Sequence, residues 1–193
     1  MGTKFKIINK KNIYDGFFKM HEVTLKYQKY DGSWTNNIKR ELFGGAQVSA
    51  VLPYDPIKKE IVLIQQFRPG TISKNFDHYL NEIVAGIIDK GEDPESAAVR
   101  ECLEETGCKV KKLIPIQGYF PAPGSSESFY YLYLGEVETF KGSRIMGIKN
   151  ENEDIFVKSY KIEDVREKMK NGKFLNGLTL IALQWFFLNI YKN

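Results

Sequence analysis

Near the N-terminus the apolar positions recur every second residue. His21, Val23, Leu25 and Tyr27 alternate with Glu22, Thr24 and Lys26, the period of a half-buried strand. Asp31-Gly32 then reads as a hairpin turn, and Thr35–Phe43 returns with Ile38, Arg40 and Leu42 on one face. A lone hairpin is marginal in water. Residues 1–45 are therefore read as a small β unit that packs on the rest of the chain or on a second subunit, with residues 46–193 as the second domain.

Downstream the apolar runs become nearly continuous. Gln47–Pro53 and Ile61–Gln66 read as strands joined by a turn at Tyr54-Asp55-Pro56, and Tyr79–Ala85, Leu113–Phe120, Phe129–Leu134 and Ile155–Tyr160 as further strands. Between them lie a polar loop from Phe67-Arg68-Pro69-Gly70 to about His78, a proline-stiffened loop over Pro121–Glu127 and an acidic loop over Lys149–Asp154. The period then lengthens. Ile162, Val165 and Met169 mark one helix up to Gly172, and Thr179–Tyr191 a second, with Leu180, Leu183, Trp185, Phe187 and Leu188 on its buried side. Strands with interspersed helices point to an α+β fold with a mixed sheet between helices.

One stretch departs from this apolar logic. Asp93-Pro94 is a helix start, because Asp caps free N–H groups and Pro fits the first turn, and Gly107 is a helix stop. Between them Glu101, Glu104 and Glu105 share one arc, with the small Ala97 one turn earlier, while Val99, Cys102, Leu103 and Thr106 form the side expected to be buried. Like charges at this spacing destabilise an isolated helix by a few tenths of a kcal/mol per pair. A solvated face explains such a pair in general. A hard divalent cation reverses the sign, since Mg²⁺ prefers carboxylate oxygens together with substrate phosphates.

Composition narrows the field. The 193 residues carry 28 basic and 24 acidic side chains for a net charge of +4, a balance that argues against nucleic acid or an anionic membrane as partner. With 42% hydrophobic residues the chain has material for a sizeable core, no apolar run spans a membrane, and the N-terminus lacks a secretory signal core. Cys102 and Cys108 lack metal-site spacing and read as small buried hydrophobes of a reduced, cytoplasmic protein. His21 and His78 belong to no nucleophile pattern.

Gly86, five residues, Glu92, seven residues, then Arg100-Glu101-Cys102-Leu103-Glu104-Glu105-Thr106-Gly107-Cys108 resembles the complete Nudix box, with Cys in both apolar slots as a small departure. Outside the box, Pro123, sixteen residues past Gly107, lies in a loop Ala122-Pro123-Gly124 that leads to Glu127. That loop, Gly16-Phe17-Phe18, Arg40-Glu41-Leu42, Gln66-Phe67-Arg68, Glu82-Ile83-Val84-Ala85-Gly86, Glu151-Asn152-Glu153-Asp154 and Thr179–Trp185 together resemble the ADP-ribose pyrophosphatase subfamily, from about Ile13 to Tyr191. The loop after Gly124 is one residue shorter than in the bacterial members.

The resemblance implies an α/β/α sandwich and Mg²⁺-dependent hydrolysis (Mn²⁺ as the alternate ion) of ADP-ribose to AMP and ribose 5-phosphate. Glu101, Glu104, Glu105 and the Ala85 carbonyl would hold metal, and Glu92 and Arg100 would pair to fix the loop. Phe17 would stack on adenine, Arg40 would contact the nucleotide, Arg68 would bind near the diphosphate or adenosine, and Glu127 would face the terminal ribose. Glu151 would be the mobile base, with Glu153 as the alternative. The N-terminal hairpin would exchange between the subunits of a homodimer. Two other readings stay open: a Nudix pyrophosphatase for another nucleotide sugar such as GDP-mannose, and a non-catalytic nucleotide-binding module. A binder has no reason to keep three mutually repelling carboxylates.

Overall fold

The computed structural model describes residues 4–148 and 152–192. They form two compact units: the N-terminal segment through Gln47 with Phe120–Phe129, and Val48–Tyr119 with the chain from Tyr130 onward.

The first unit holds an antiparallel sheet of β1 (Phe5–Asp15), β2 (Lys19–Tyr27) and β3 (Ile38–Gly44), in that order. The expected hairpin is β2–β3, with Leu25 opposite Ile38, Val23 opposite Arg40 and His21 opposite Leu42. Strand β1 was not expected. Register shifts between Ile7 and Asn9 and between Asn12 and Tyr14 add residues that erase its alternation, as β-bulges do. The loop Phe120–Phe129 docks on the end of β3: Phe43 N donates to Ser125 O (2.8 Å) and Glu127 N to Phe43 O (3.0 Å). Gly45 permits the approach, because a Cβ there would lie 1.9 Å from Ser128 N.

The second unit is built on β4 (Gln47–Asp55), β5 (Glu60–Phe67), β6 (Tyr79–Glu82), β7 (Val84–Ile87), β8 (Lys112–Tyr119), β9 (Phe129–Glu136), β10 (Ser143–Met146) and β11 (Ile155–Lys161). Three helices complete it: α1 (Pro94–Thr106), α2 (Ile162–Lys170) and α3 (Gly177–Asn189). The strand order is β10-β11-β5-β4-β9-β8, with β6 on β5 and β7 on β4. The fold is α+β, helices on a mixed sheet.

Both faces of the sheet are covered, which explains the near-continuous apolar runs. Ala50, Leu52, Tyr54, Ile61, Leu63, Leu132 and Leu134 pack with Ile162 and Val165 of α2 and Ala182, Leu183 and Phe186 of α3. The alternate residues Val51, Val62, Ile64 and Tyr133 pack with Ala98 and Cys102 of α1. This is the expected α/β/α sandwich.

Three local expectations need correction. Tyr79–Ala85 is two strands, not one. β4 and β5 pair only at Tyr54–Ile61 and Asp55–Glu60; beyond that they diverge, and β6 pairs with β5 while β7 pairs with β4. The break falls at Ile83, whose N–H is taken by Thr179 Oγ1 at 3.1 Å. The β4–β5 turn lies past Asp55, whose buried carboxylate accepts from Ile57 N and Lys58 N at 3.0 and 2.9 Å. On α3, Leu188 is 70% exposed and the central buried ring is Phe186, since the sheet sees the Thr179–Ala182–Leu183–Phe186 stripe.

Candidate active site

Helix α1 has the ends its sequence demands. Asp93 accepts from Glu95 N and Ser96 N at 3.0 Å each. Gly107 closes the helix at φ 71, its N–H on Leu103 O. The buried side differs from the expectation. Ala97, Ala98, Cys102, Glu105 and Thr106 are buried, whereas Val99 and Leu103 are 40% and 44% exposed. The sheet accepts the small side chains Ala98 and Cys102, and that phase turns the Glu105 edge inward and the two larger apolar residues outward.

Glu105 is therefore a carboxylate only 4% exposed, with the Ala85 N–H donating to its Oε2 at 3.3 Å. Burial first, then repulsion from Glu101, pushes its pKa well above the usual carboxylate range. Burial raises Glu101 as well, against the opposing pull of Arg100. Glu101 lies against β7 at Gly86, where an added Cβ would stand 1.9 Å from its Oε1. The box glycine is thus a cradle for a carboxylate. Gly86→Ala is expected to displace Glu101 and weaken divalent-metal affinity by about 10–100-fold with the fold retained. Metal titration by calorimetry and a circular dichroism spectrum check both parts.

Arg100 distributes its guanidinium over this edge. Nε and Nη2 donate to Glu92 at 2.9 and 2.8 Å, Nη2 also to Ile87 O at 3.2 Å, and Nη1 to Glu101 and Glu104 at 2.7 and 3.0 Å. The expected Glu92–Arg100 pair forms, and the same arginine neutralises two of the three helix carboxylates. Among the described residues no three His, Cys, Asp or Glu side chains already form a metal-holding group. The donors nonetheless suit a hard divalent cation: a carboxylate raised first by burial and then by Glu101, and a second one fitted into a glycine cradle.

Arg68 makes a fork to Glu82, Nε at 3.1 and 3.2 Å and Nη2 at 2.7 Å. Burial opposes its charge, but the bonds and charge of Glu82, then Glu105 and Glu153, hold its pKa above the ordinary guanidinium value. Glu82, 3% exposed, was quoted in the sequence pattern without a role. A lone carboxylate inside an apolar strand is the signal for it. Glu153 accepts from Ile148 N at 3.3 Å and its charge reaches both Glu101 and Glu105. Glu151 lies outside the described residues.

The other expected residues belong to the first unit. Phe17 is 86% exposed, edge-on to Phe18 at 4.8 Å, and Phe18 packs on Phe43 at 4.8 Å. Arg40 is exposed and donates to the Lys39 carbonyl at 2.7 Å. Glu127 is held by Lys10 Nζ at 2.8 and 3.1 Å, with His21 Nε2 3.6 Å away. The two cysteines are buried and free, as expected.

An α/β/α sandwich whose acidic helix packs its carboxylates against a glycine strand defines a class, and residues 45–177 match the family model described as NUDIX domain. The chain belongs to the Nudix family. It is 34% identical to a protein of Escherichia coli K12 named ADP-ribose pyrophosphatase, over 95% of this chain and 88% of the relative. It is 30% identical to a GDP-mannose pyrophosphatase of Enterobacter sp. strain 638, over 96% of each. The solved structure described as an ADP compounds hydrolase superposes with a TM-score of 0.68 at 19% identity, over 94% of this chain and 91% of that one, a likeness of fold.

Proposed function

We propose that this Nudix protein hydrolyses the diphosphate of ADP-ribose, water adding to one phosphorus as the bridging P–O bond breaks, to give AMP and ribose 5-phosphate. The observation that carries the reading is the buried Glu105 beside Glu101 on the Gly86 strand, joined to the printed name of the 34% identical relative. Glu101, Glu104, Glu105 and the Ala85 carbonyl would hold Mg²⁺, or Mn²⁺ as the alternate ion. Such an ion supplies charge neutralisation at phosphate and a more acidic water.

The chain's own residues do the rest. Arg100 keeps Glu101 and Glu104 oriented from the side of the Glu92 loop. Arg68, clamped by Glu82, is the cation for the diphosphate or adenosine. Phe17, Arg40 and Glu127 serve the adenine, the nucleotide and the terminal ribose. Glu151 takes the proton of the attacking water, with Glu153 the alternative.

A panel of ADP-ribose, GDP-mannose, ADP-glucose and NADH with Mg²⁺, products identified by chromatography, tests the reading. ADP-ribose should give the highest kcat/KM. Preference for GDP-mannose would move the protein toward the second reading, which the 30% identical relative supports. Binding without turnover of any compound would favour a non-catalytic module.

The proposed assembly is a homodimer through the N-terminal unit of residues 1–45, with residues 46–193 as catalytic domain. Every residue of β1 is exposed, including Phe5, Ile7, Ile8, Ile13 and Tyr14, and among the described strand residues of that sheet only Val23 is buried. A sheet so thinly covered calls for a partner. Light scattering at low micromolar concentration should give twice 22.3 kDa, and removal of residues 1–45 should abolish both dimerisation and nucleotide binding. A fully active monomer would refute this. No helix among the described residues is long and apolar enough to cross a membrane, and a cytoplasmic location is proposed with the free cysteines as support.

A further inference from the structure

The segment Thr179–Trp185 belongs to the sequence pattern but has no part in the site described above. Its first residue is the anomaly. The stripe that α3 buries consists of Thr179, Ala182, Leu183 and Phe186, three apolar side chains and one hydroxyl. Valine has the same branched shape and would fill that place without a polar atom, and a buried hydroxyl is costly unless it is hydrogen-bonded. Thr179 is bonded on both sides. Its Oγ1 accepts from Ile83 N at 3.1 Å and donates to Asn176 Oδ1 at 3.4 Å. Asn176 is the cap of α3, and its Oδ1 also takes the Thr179 N–H at 3.0 Å.

Ile83 is the point where the chain exchanges one strand partner for another. β6 ends at Glu82, opposite Ile64 of β5, and β7 begins at Val84, opposite Val51 of β4. Ile83 belongs to neither strand, and both it and Thr179 are closed off from water. An N–H left buried without an acceptor carries its full desolvation penalty, so loss of the hydroxyl drives this junction to shift. The residues on either side of it carry the site. Glu82, one residue earlier, forks to Arg68. Ala85, two residues later, donates to Glu105. The charges of Arg68 and Glu105 act on each other, so a shift at Ile83 moves two parts of one site.

We propose that Thr179 is a positioning residue for this site. Through the Ile83 N–H it ties the capped end of α3 to the β6–β7 junction. That tie sets Arg68, by way of Glu82, and the Ala85–Glu105 contact in one arrangement. Its effect on turnover rests on the hydrolysis proposed above, whereas its effect on the backbone at Ala85 does not.

Three variants test it: Thr179→Val, which keeps the shape and loses the hydroxyl; Thr179→Ser, which keeps the hydroxyl; and Leu183→Val, which trims the same stripe one turn on. In Thr179→Val the Ala85 amide resonance of the metal-free protein should shift. Mg²⁺ affinity by calorimetry should weaken about ten-fold or more, and kcat/KM for ADP-ribose should fall by about 10–100-fold. Thr179→Ser should restore all three. Leu183→Val should lower the melting temperature and leave all three at the parental values. An unmoved Ala85 resonance with parental Mg²⁺ affinity in Thr179→Val overturns the proposal, as does failure of Thr179→Ser to restore them or a Leu183→Val variant with the same losses. If Thr179→Val does not fold, Asn176→Ala releases the hydroxyl from its second partner and should weaken Mg²⁺ binding about three-fold; parental affinity there overturns the proposal as well. A parent protein without ADP-ribose hydrolysis would sink the proposed reaction, and the resonance and the Mg²⁺ titration would still decide the role of Thr179.

Discussion

Glu105→Gln should lower kcat by at least about 10³-fold, some 4 kcal/mol of barrier, and at the same time raise the melting temperature of the metal-free protein. The two effects share one cause. A carboxylate 4% exposed and repelled by Glu101 is a liability in the fold until a cation sits against it, because burial disfavours the charged form. The amide of Gln keeps the size and an acceptor for the Ala85 N–H, yet offers metal no charge. For a chain of this length each kcal/mol gained raises Tm by about 2–4 °C. Steady-state kinetics with Mg²⁺ and thermal melts in EDTA check the two arms. Parental kcat in the variant, or parental turnover in excess EDTA, would remove the metal assignment.

Glu151→Gln should cut kcat by about 10²–10⁴-fold, the usual scale for a general base, with KM nearly unchanged because the residue acts in the transition state. Glu153→Gln should do less. Glu153 is already engaged by a backbone donor, Ile148 N at 3.3 Å. Its charge adds to that of Glu101 and Glu105, a further negative group beside the proposed metal ligands. Should Glu153→Gln prove the crippling variant, the base moves two residues along. If neither changes kcat, Glu104 and Glu127 are the next carboxylates to replace.

Much of the site was legible before any coordinates. The caps Asp93 and Gly107 and the shared arc of Glu101, Glu104 and Glu105 follow from local rules, since a helix phase and its ends are set within a few residues, and the Glu92–Arg100 pair followed from the Nudix resemblance. The strands β4, β5, β8, β9 and β11 were likewise visible as apolar runs. Strand β1 was not, because its bulges spoil the two-residue period, and neither was β10, whose four residues Ser143–Met146 are too short to show one.

What a helix buries is a different kind of question. The sequence by itself determined that three carboxylates lie together on α1, and that a hard cation suits them. It did not determine that Glu105 goes inward while Val99 and Leu103 stay out, because that choice belongs to the neighbour. β4 and β5 diverge, and β7 on β4 places Ala85 and Gly86 where Glu105 and Glu101 meet them. Nor could spacing reveal the Arg68–Glu82 fork, whose partners are fourteen residues apart in sequence, or Lys10 and His21 on Glu127. Periodicity is a property of adjacent residues. Burial and long-range ion pairing arise only when the closed fold decides which surfaces water can no longer reach.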